Sequence, residues 1–142
     1  MVNKLISISL AAIFSAFFSL SVLAETAVIV NPGNGVSDLS DKDISAIFLG
    51  KKKKFPGGGT AVPIDQNEDS PLRDSFNQAV LGKNASQLKS YWAQRVFTGK
   101  GQPPKQVGGD ADVKKLVAEN PAMIGYIDAG AVDGSVKVIH KF

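Results

Sequence analysis

Hydrophobic residues along the chain follow two different spacings, which together predict strands that alternate with helices. Short runs rich in valine and isoleucine, bounded by glycine, proline or asparagine, are typical of strands. Apolar residues that recur three or four positions apart are typical of helices with one buried face. The predicted strands span residues 27–30, 60–66, 122–128 and 136–142, with a further short run at 106–107. The predicted helices span residues 40–50, 70–82, 86–97 and 110–120. This alternation favours an α/β domain with a largely parallel or mixed sheet.

Two of the predicted helices carry start and stop signals. Ser40, with Asp43 three residues later, resembles a capping box. Ser70 stands at the N-cap of the next helix, Pro71 follows at its first position, and Gly82 ends it. The predicted inward-facing residues of the four helices are Ile44, Ile47 and Phe48; Leu72, Phe76, Ala79 and Val80; Leu88, Trp92 and Val96 or Phe97; and Val113, Leu116 and Val117.

The first 24 residues have the pattern of a secretory signal peptide. Lys4 precedes an uncharged apolar run from Leu5 to Val22, and Val22-Leu23-Ala24 is a small-residue cleavage site. The run is nearly long enough to span a bilayer, so an uncleaved anchor is the alternative. Its serine and alanine content and the lack of a basic flank favour cleavage after Ala24. We therefore expect residues 25–142 to form one exported domain.

Charge and cysteine content narrow the possible partners. The sequence has 16 basic and 13 acidic side chains, and removing residues 1–24 takes away one lysine, which leaves a net charge of +2. This small excess does not favour nucleic acid or a membrane surface as a partner. The sequence contains no cysteine, which excludes disulfides and thiolate metal sites. An exported protein without cysteine indicates a bacterial periplasm.

The side chains that catalysis or metal binding requires are scarce. His140 is the only histidine, and it lies in a predicted strand with no second histidine or cysteine to share a metal ion. A Gly-x-Ser-x-Gly turn is missing, so no nucleophile with a neighbouring base can be assigned. The acidic residues are not spaced like a calcium-binding loop. We predict no catalytic residue, no metal site and no cofactor, and hence a protein that is not an enzyme.

The stretch VPIDQNEDSPLRDSF, residues 62–76, places polar side chains where a strand turns into a helix. The N-terminus of a helix offers free N–H groups and a partial positive charge, which favour an anion. Ser70 adds a hydroxyl group, and Arg73 can form paired hydrogen bonds to an oxyanion. Asp65 can accept the proton of monohydrogen phosphate, which sulfate lacks.

The same stretch supports a second interpretation without a ligand. Glu68 and Asp69 precede the helix and repel an anion, and Pro71 removes one of the N–H groups. Ser70 then only caps the helix, and Arg73 pairs with one of the acids. The local chemistry leaves both interpretations open.

Two basic loops have the same ambiguity. The run Lys51–Lys54 can meet a partner or anionic lipid, although such runs are more often solvated. The loop that contains Gly99-Lys100 lacks the spacing of a phosphate-binding P-loop. It can still meet an anion, but a flexible surface turn is the favoured explanation.

Three further stretches resemble one family. They are ISAIFLGKKKKFPGGGTAVPID (residues 44–65), SYWAQRVFTGKGQPPKQV (90–107) and MIGYID (123–128). In this order they are similar to segments of short periplasmic phosphate ABC transporter substrate-binding proteins, over residues 27–142. The resemblance implies a type 2 periplasmic-binding-protein fold, whose full-length members have two lobes that close on phosphate. Residues 25–142 are long enough for only one such lobe.

The resemblance also implies where a ligand would bind. The family has an arginine followed by a Gly-Ser-Gly-Thr turn at a helix start, and only Ser70 matches that turn here. Gln66 or Asn67 stands at the position of the arginine, and Arg73 is the nearest substitute. We therefore expect Ser70, Arg73, Asp65 and Thr98 to contact phosphate or a related oxyanion.

Two functions remain open at this point. The first is an exported solute-binding domain that works with an ABC permease. The second is a single-lobe envelope protein that has lost or changed its ligand and acts by binding another protein or a second copy of itself.

Overall fold

The computed structural model describes residues 25–142, so the predicted signal peptide lies outside the described residues. Five strands and four helices follow one another along this range: β1 (Thr26–Val30), α1 (Asp41–Phe48), β2 (Val62–Gln66), α2 (Pro71–Phe76), α3 (Ala85–Phe97), β3 (Lys105–Val107), α4 (Asp110–Glu119), β4 (Met123–Asp128) and β5 (Lys137–Lys141). A π-helical turn, Asn77–Leu81, continues α2, and a short 3-10 turn, Ala129–Ala131, follows β4. None of these helices combines the length and the apolar character that a bilayer span requires.

The five strands form one mixed sheet in the order β3-β2-β4-β1-β5. Strand β2 is parallel to its two neighbours, β3 and β4. The first strand β1 is antiparallel to β4 and to β5. The predicted α/β class, with a mixed sheet and flanking helices, is therefore confirmed.

The two faces of the sheet carry separate hydrophobic clusters, because successive strand residues point to opposite sides. On one face, Val28 and Val30 pack with α1 and with Phe76. On the other face, Ala27 and Ile29 pack with the inward side of α4. All five residues of β1 are buried, which is typical of a strand covered by helices on both sides. The sheet is thus the middle layer of three.

The contact between α4 and the sheet depends on Gly125 in β4. A Cβ atom at this position would stand 2.5 Å from a methyl carbon of Val113 and 3.2 Å from Ile64. Glycine is therefore required because the helix approaches the strand so closely. This close packing fixes the start of α4 relative to the ends of β2 and β4.

The predicted caps of α1 and α2 are confirmed. Ser40 accepts a hydrogen bond from the backbone N–H of Asp43 at 3.1 Å, and Ser70 accepts one from that of Arg73 at 3.4 Å. Gly82 ends the helical segment with φ of +63°, a value that favours glycine.

One predicted inward position in the α2 segment is wrong. Ala79 is exposed, whereas Phe76 and Asn77 are both buried. The reason is the π-helical turn, which holds more residues per turn than an α-helix and so rotates the buried face. Val80 and Leu81 lie against the core on that rotated face.

The third helix ends at Phe97 as predicted, but its start and the buried face of its last turn differ from the prediction. It begins at Ala85 and not at Ser86, because Asn84 and Gln87 form a capping box. Leu88 is buried as predicted, but Val96 is 43% exposed and Phe97 is 92% exposed. The prediction that Val96 or Phe97 faces inward is therefore wrong, because no element of residues 25–142 covers this end of α3.

Candidate functional site

An open cleft of about 440 Å³ lies at the carboxyl ends of β2, β3 and β4. Its walls come from three chain segments, each of which directly follows or ends one of these strands. The lining residues are Gln66, Asn67, Asp69–Leu72, Gly108–Asp110 and Asp128. In open α/β sheets, ligands bind outside the carboxyl ends of the strands. The cleft therefore lies where ligands commonly bind in proteins with such sheets.

Two helices begin at this cleft. Ser70 caps α2 through its side chain, and Pro71 supplies no N–H group. The longer helix α4 has Gly109 at its N-cap, which offers no side chain to the first-turn N–H groups. These N–H groups and the helix dipole give the Gly108–Asp110 wall a partial positive charge.

A buried glutamine connects the two helix starts. Gln66 is only 2% exposed, and its Nε2 donates to Asp110 Oδ1 at 2.8 Å and to the carbonyl of Tyr126 at 2.9 Å. Ser70 Oγ donates to Gln66 Oε1 at 2.6 Å. Every polar atom of the Gln66 side chain is thus bonded, which holds the cleft walls at a fixed separation. The sequence drew attention to Gln66 only as a mismatch with the family arginine. The only sequence signal of its structural role was a single amide side chain at the end of a buried strand.

Asp65 is held by three donors on the side of the turn that the cleft does not reach. Its Oδ1 accepts from the hydroxyl of Tyr126 and from the backbone N–H of Gln66, at 2.9 Å for the latter. Its Oδ2 accepts from Arg73 Nε at 3.1 Å. Burial, followed by the charge of Asp65, raises the pKa of Tyr126 above its usual range. The tyrosine therefore stays protonated and remains a donor.

Arg73 is engaged by acids. Besides the bond to Asp65, its Nη1 lies 4.0 Å from Glu68 Oε1. Arg73 does not line the cleft. Together with Asp65 it borders a small cavity of about 30 Å³ beneath Trp92 and Pro104. The sequence left open a pairing of Arg73 with Glu68 or Asp69, whereas its main partner in the structure is Asp65.

The charged side chains that line the cleft are all acidic. They are Asp69, Asp110 and Asp128. Asp110 accepts from Gln66, and Asp128 accepts from the N–H of Gly130 at 2.7 Å. The backbone of the cleft therefore attracts an anion, whereas its side chains repel one.

Thr98 lies apart from the cleft. It is the C-cap residue of α3, and its Oγ1 donates to the carbonyl of Gln94 at 2.8 Å. The following Lys100 is tied back to Arg95 through its own N–H at 2.8 Å. Of the four predicted ligand residues, only Ser70 lines the cleft.

Within residues 25–142, no group of three or more histidine, aspartate and glutamate side chains is placed to hold a metal ion. His140 lies on β5 with its Nε2 2.5 Å from Asp41 Oδ1, at the start of α1. This contact joins an edge strand to a helix and lies outside the cleft.

Comparison with solved structures places the fold among phosphate-transport proteins. An ABC-type phosphate transport receptor from Vibrio cholerae matches with a TM-score of 0.64 and 22% identity, over 82% of this chain and 46% of that one. A structure assigned as a phosphate ABC transporter substrate-binding protein with bound phosphate, from Clostridium perfringens, matches with a TM-score of 0.65 and 29% identity, over 82% of this chain and 45% of that one. PstS from Borrelia burgdorferi matches with a TM-score of 0.60 and 16% identity, over 82% of this chain and 47% of that one.

These matches confirm the resemblance that the sequence motifs indicated. The chain has the fold of part of a phosphate ABC transporter substrate-binding protein, and it spans less than half the length of these solved proteins. Searches of protein-family models and of curated proteins give no match.

Proposed function

We propose that this chain is an exported solute-binding domain that binds phosphate or a related oxyanion in the cleft between the starts of α2 and α4. The observation that carries the proposal is the meeting of two helix N-termini at the carboxyl ends of parallel strands. The fold in which they meet is shared with proteins of phosphate transport. Such helix starts are suited to oxyanions because their N–H groups point at the ligand.

The ligand contacts in this proposal come mainly from backbone. The first-turn N–H groups of α4 and that of Leu72 donate to the oxyanion, since Gly109 leaves the former uncapped. Ser70 turns its hydroxyl from Gln66 to the ligand. An acid in the cleft accepts the proton of monohydrogen phosphate, and Asp110 takes the role that the sequence assigned to Asp65. That proton acceptance favours phosphate over sulfate.

The other residues that the sequence predicted as ligand contacts do not contact the ligand in this proposal. Arg73 and Asp65 hold the turn between β2 and α2 through their mutual ion pair. Thr98 lies outside the cleft, and its contact with an oxyanion stays a prediction.

The cellular context follows from the same fold. We propose that residues 1–24 direct export to the periplasm and that residues 25–142 work there with an ABC permease. The domain has no catalytic role in this scheme, and the ligand passes through it unchanged.

Calorimetric titration of the protein with phosphate, and separately with sulfate, tests this proposal. Removing the exposed cleft acid in Asp69→Asn takes away repulsion and should tighten phosphate binding several-fold. Glu119→Gln removes an equal charge at the far end of α4, outside the cleft, and should leave binding unchanged. Equal effects of the two variants would count against the cleft as the site.

The acidic cleft favours a second candidate, a single-lobe protein that acts by binding another envelope protein or its own copy. Its three aspartates oppose a dianion, and Arg73 is engaged by Asp65. Light scattering of the purified protein separates the two candidates in part, because a strict monomer that binds phosphate excludes self-association as the function.

A further inference from the structure

A second concave surface, which shares no lining residue with the cleft, lies where α1, α3 and the loop before β3 meet. We call it the basic groove and define it by six residues: Lys52, Lys53, Pro63, Trp92, Pro104 and Lys105. It has a volume of about 230 Å³. The groove is formed by two of the stretches that carried the family resemblance, residues 44–65 and 90–107.

The apolar floor of the groove is held rigidly. Trp92 is packed edge-to-face against Tyr91 with ring centroids 5.1 Å apart. The Tyr91 hydroxyl donates to the carbonyl of Leu49 at 2.6 Å, and Arg95 Nη2 donates to the carbonyl of Gly50 at 3.1 Å. These bonds clamp α3 onto the turn after α1, and the indole lies against Gly50. A binding surface that is fixed in advance loses little entropy when a ligand arrives.

The charge of the groove is of one sign. Its charged lining side chains are Lys52, Lys53 and Lys105, and all three are exposed. Lys52 pairs with Asp43 at 2.7 Å. The ion pairs among residues 25–142 involve neither Lys53 nor Lys105, so these two cations lack an acidic partner. The basic groove therefore attracts carboxylates, in contrast to the acidic cleft.

We propose that the basic groove is a docking site for an extended acidic segment of a partner protein. Grooves lined by aromatic side chains bind extended, proline-containing chain because such segments are already ordered, and Trp92 supplies the aromatic surface here. Val62, which is 37% exposed, widens the apolar floor along the strand direction. Lys53 and Lys105 then pair with carboxylates on either side of the segment. This docking site is independent of the cleft and of the solute proposed for it.

Trp92 is the only tryptophan in the sequence, so its fluorescence reports directly on the groove. The probe is a synthetic peptide of alternating glutamate and proline, added to the protein at fixed ionic strength. We expect a saturable change in the emission of Trp92. The same peptide with lysine in place of glutamate should cause no change, because the groove repels it.

Charge reversal at the groove gives the decisive comparison. The double variant Lys53→Glu, Lys105→Glu should bind the glutamate–proline peptide at least about tenfold more weakly, because both ion pairs become repulsive. Lys115→Glu with Lys141→Glu changes the net charge equally at exposed sites outside the groove and should bind like the unmodified protein. Thermal unfolding of both variants checks that each is folded.

Three results would overturn the proposal. One is an emission of Trp92 that does not respond to the acidic peptide. Another is equal weakening of peptide binding in the two double variants, which would show that only the net charge of the protein matters. The third is a stronger response to vesicles of phosphatidylglycerol or to free phosphate than to the peptide, which would assign the groove to a membrane surface or to a small anion.

Discussion

Asp65 and Arg73 form a mostly buried ion pair, with 3.1 Å between Asp65 Oδ2 and Arg73 Nε. The pair joins the end of β2 to the first turn of α2. Tyr126, from the neighbouring strand β4, completes it by donating to the other carboxylate oxygen. Two side chains that the sequence assigned to a ligand thus support the wall of the cleft. The groups that remain to contact a ligand inside the cleft are Ser70 and backbone groups.

The first prediction concerns this ion pair. Arg73→Met should lower the free energy of unfolding by about 2 kcal/mol, because it leaves the Asp65 carboxylate buried without its charged partner. In an Asp65→Asn background the same change should cost at least about 1 kcal/mol less, since no charge is then left unpaired. Urea unfolding of the two single variants and the double variant gives this coupling. Strictly additive effects would show that Arg73 acts independently of Asp65.

The second prediction concerns the cap of α2. Ser70→Ala removes the bond to the N–H of Arg73 and the bond to the buried Gln66. It should lower the free energy of unfolding by about 1–2 kcal/mol. Ser75→Ala is the matched control, because the exposed Ser75 bonds only a carbonyl of its own helix. Similar losses in both variants would mean that Ser70 carries no special structural role.

The third prediction is a loss of stability at alkaline pH that depends on Tyr126. Its pKa in the folded protein is raised above the ordinary value of 10.0, first by burial and then by Asp65. The stabilisation is therefore fully present below about pH 10 and falls as the pH rises, because the unfolded chain releases the proton more easily. One such group contributes a slope of up to about 1.4 kcal/mol per pH unit.

Tyr126→Phe should flatten this alkaline loss, although the variant is less stable at neutral pH. Tyr91→Phe, which also removes one tyrosine hydroxyl, is the control and should keep the loss. Free energies of unfolding between about pH 8 and about pH 11 decide the matter. An unchanged slope in Tyr126→Phe would show that other groups cause the alkaline transition.

The fourth prediction tests the clamp beneath the basic groove. Gly50 has φ of +71°, and a Cβ atom there would stand 3.2 Å from the indole of Trp92. Gly57 has φ of +89° with nothing within 4 Å. Gly57→Ala should therefore cost about 1 kcal/mol from backbone strain alone. Gly50→Ala should cost more and should shift the emission of Trp92. If both variants had the same Trp92 emission spectrum and the same free energy of unfolding, the indole ring of Trp92 would not be held in place by Gly50.

Much of the fold could be predicted from the sequence because its signals are local. The valine and isoleucine runs define buried strands, and Ser40, Ser70 and Gly82 mark helix ends through their own backbone bonds. The exposed Ala79 could not be predicted in this way. A π-helical turn depends on packing against the core and shifts the buried face without leaving a sequence period.

The candidate site was predicted in position but not in its contacts. The sequence located the turn before α2, and that turn does line a cleft at the carboxyl ends of the strands. The opposite wall, Gly108–Asp110, comes from residues some forty positions later along the chain. The partner of Arg73 was also not predicted, because Glu68 and Asp69 are closer to it in sequence than Asp65, its partner in the structure. Only the packing of Tyr126 beside Asp65 selects among them.

The central claim is that the cleft binds phosphate, and thermal unfolding of the purified protein tests it most directly. Phosphate, sulfate and chloride are compared at the same ionic strength. At about a hundred times its dissociation constant, a ligand stabilises the folded state by about 2.7 kcal/mol, which raises Tm by several degrees. We predict this rise with phosphate and a smaller one or none with sulfate. A Tm that stays the same in millimolar phosphate would contradict the claim and leave the protein-binding function as the better account.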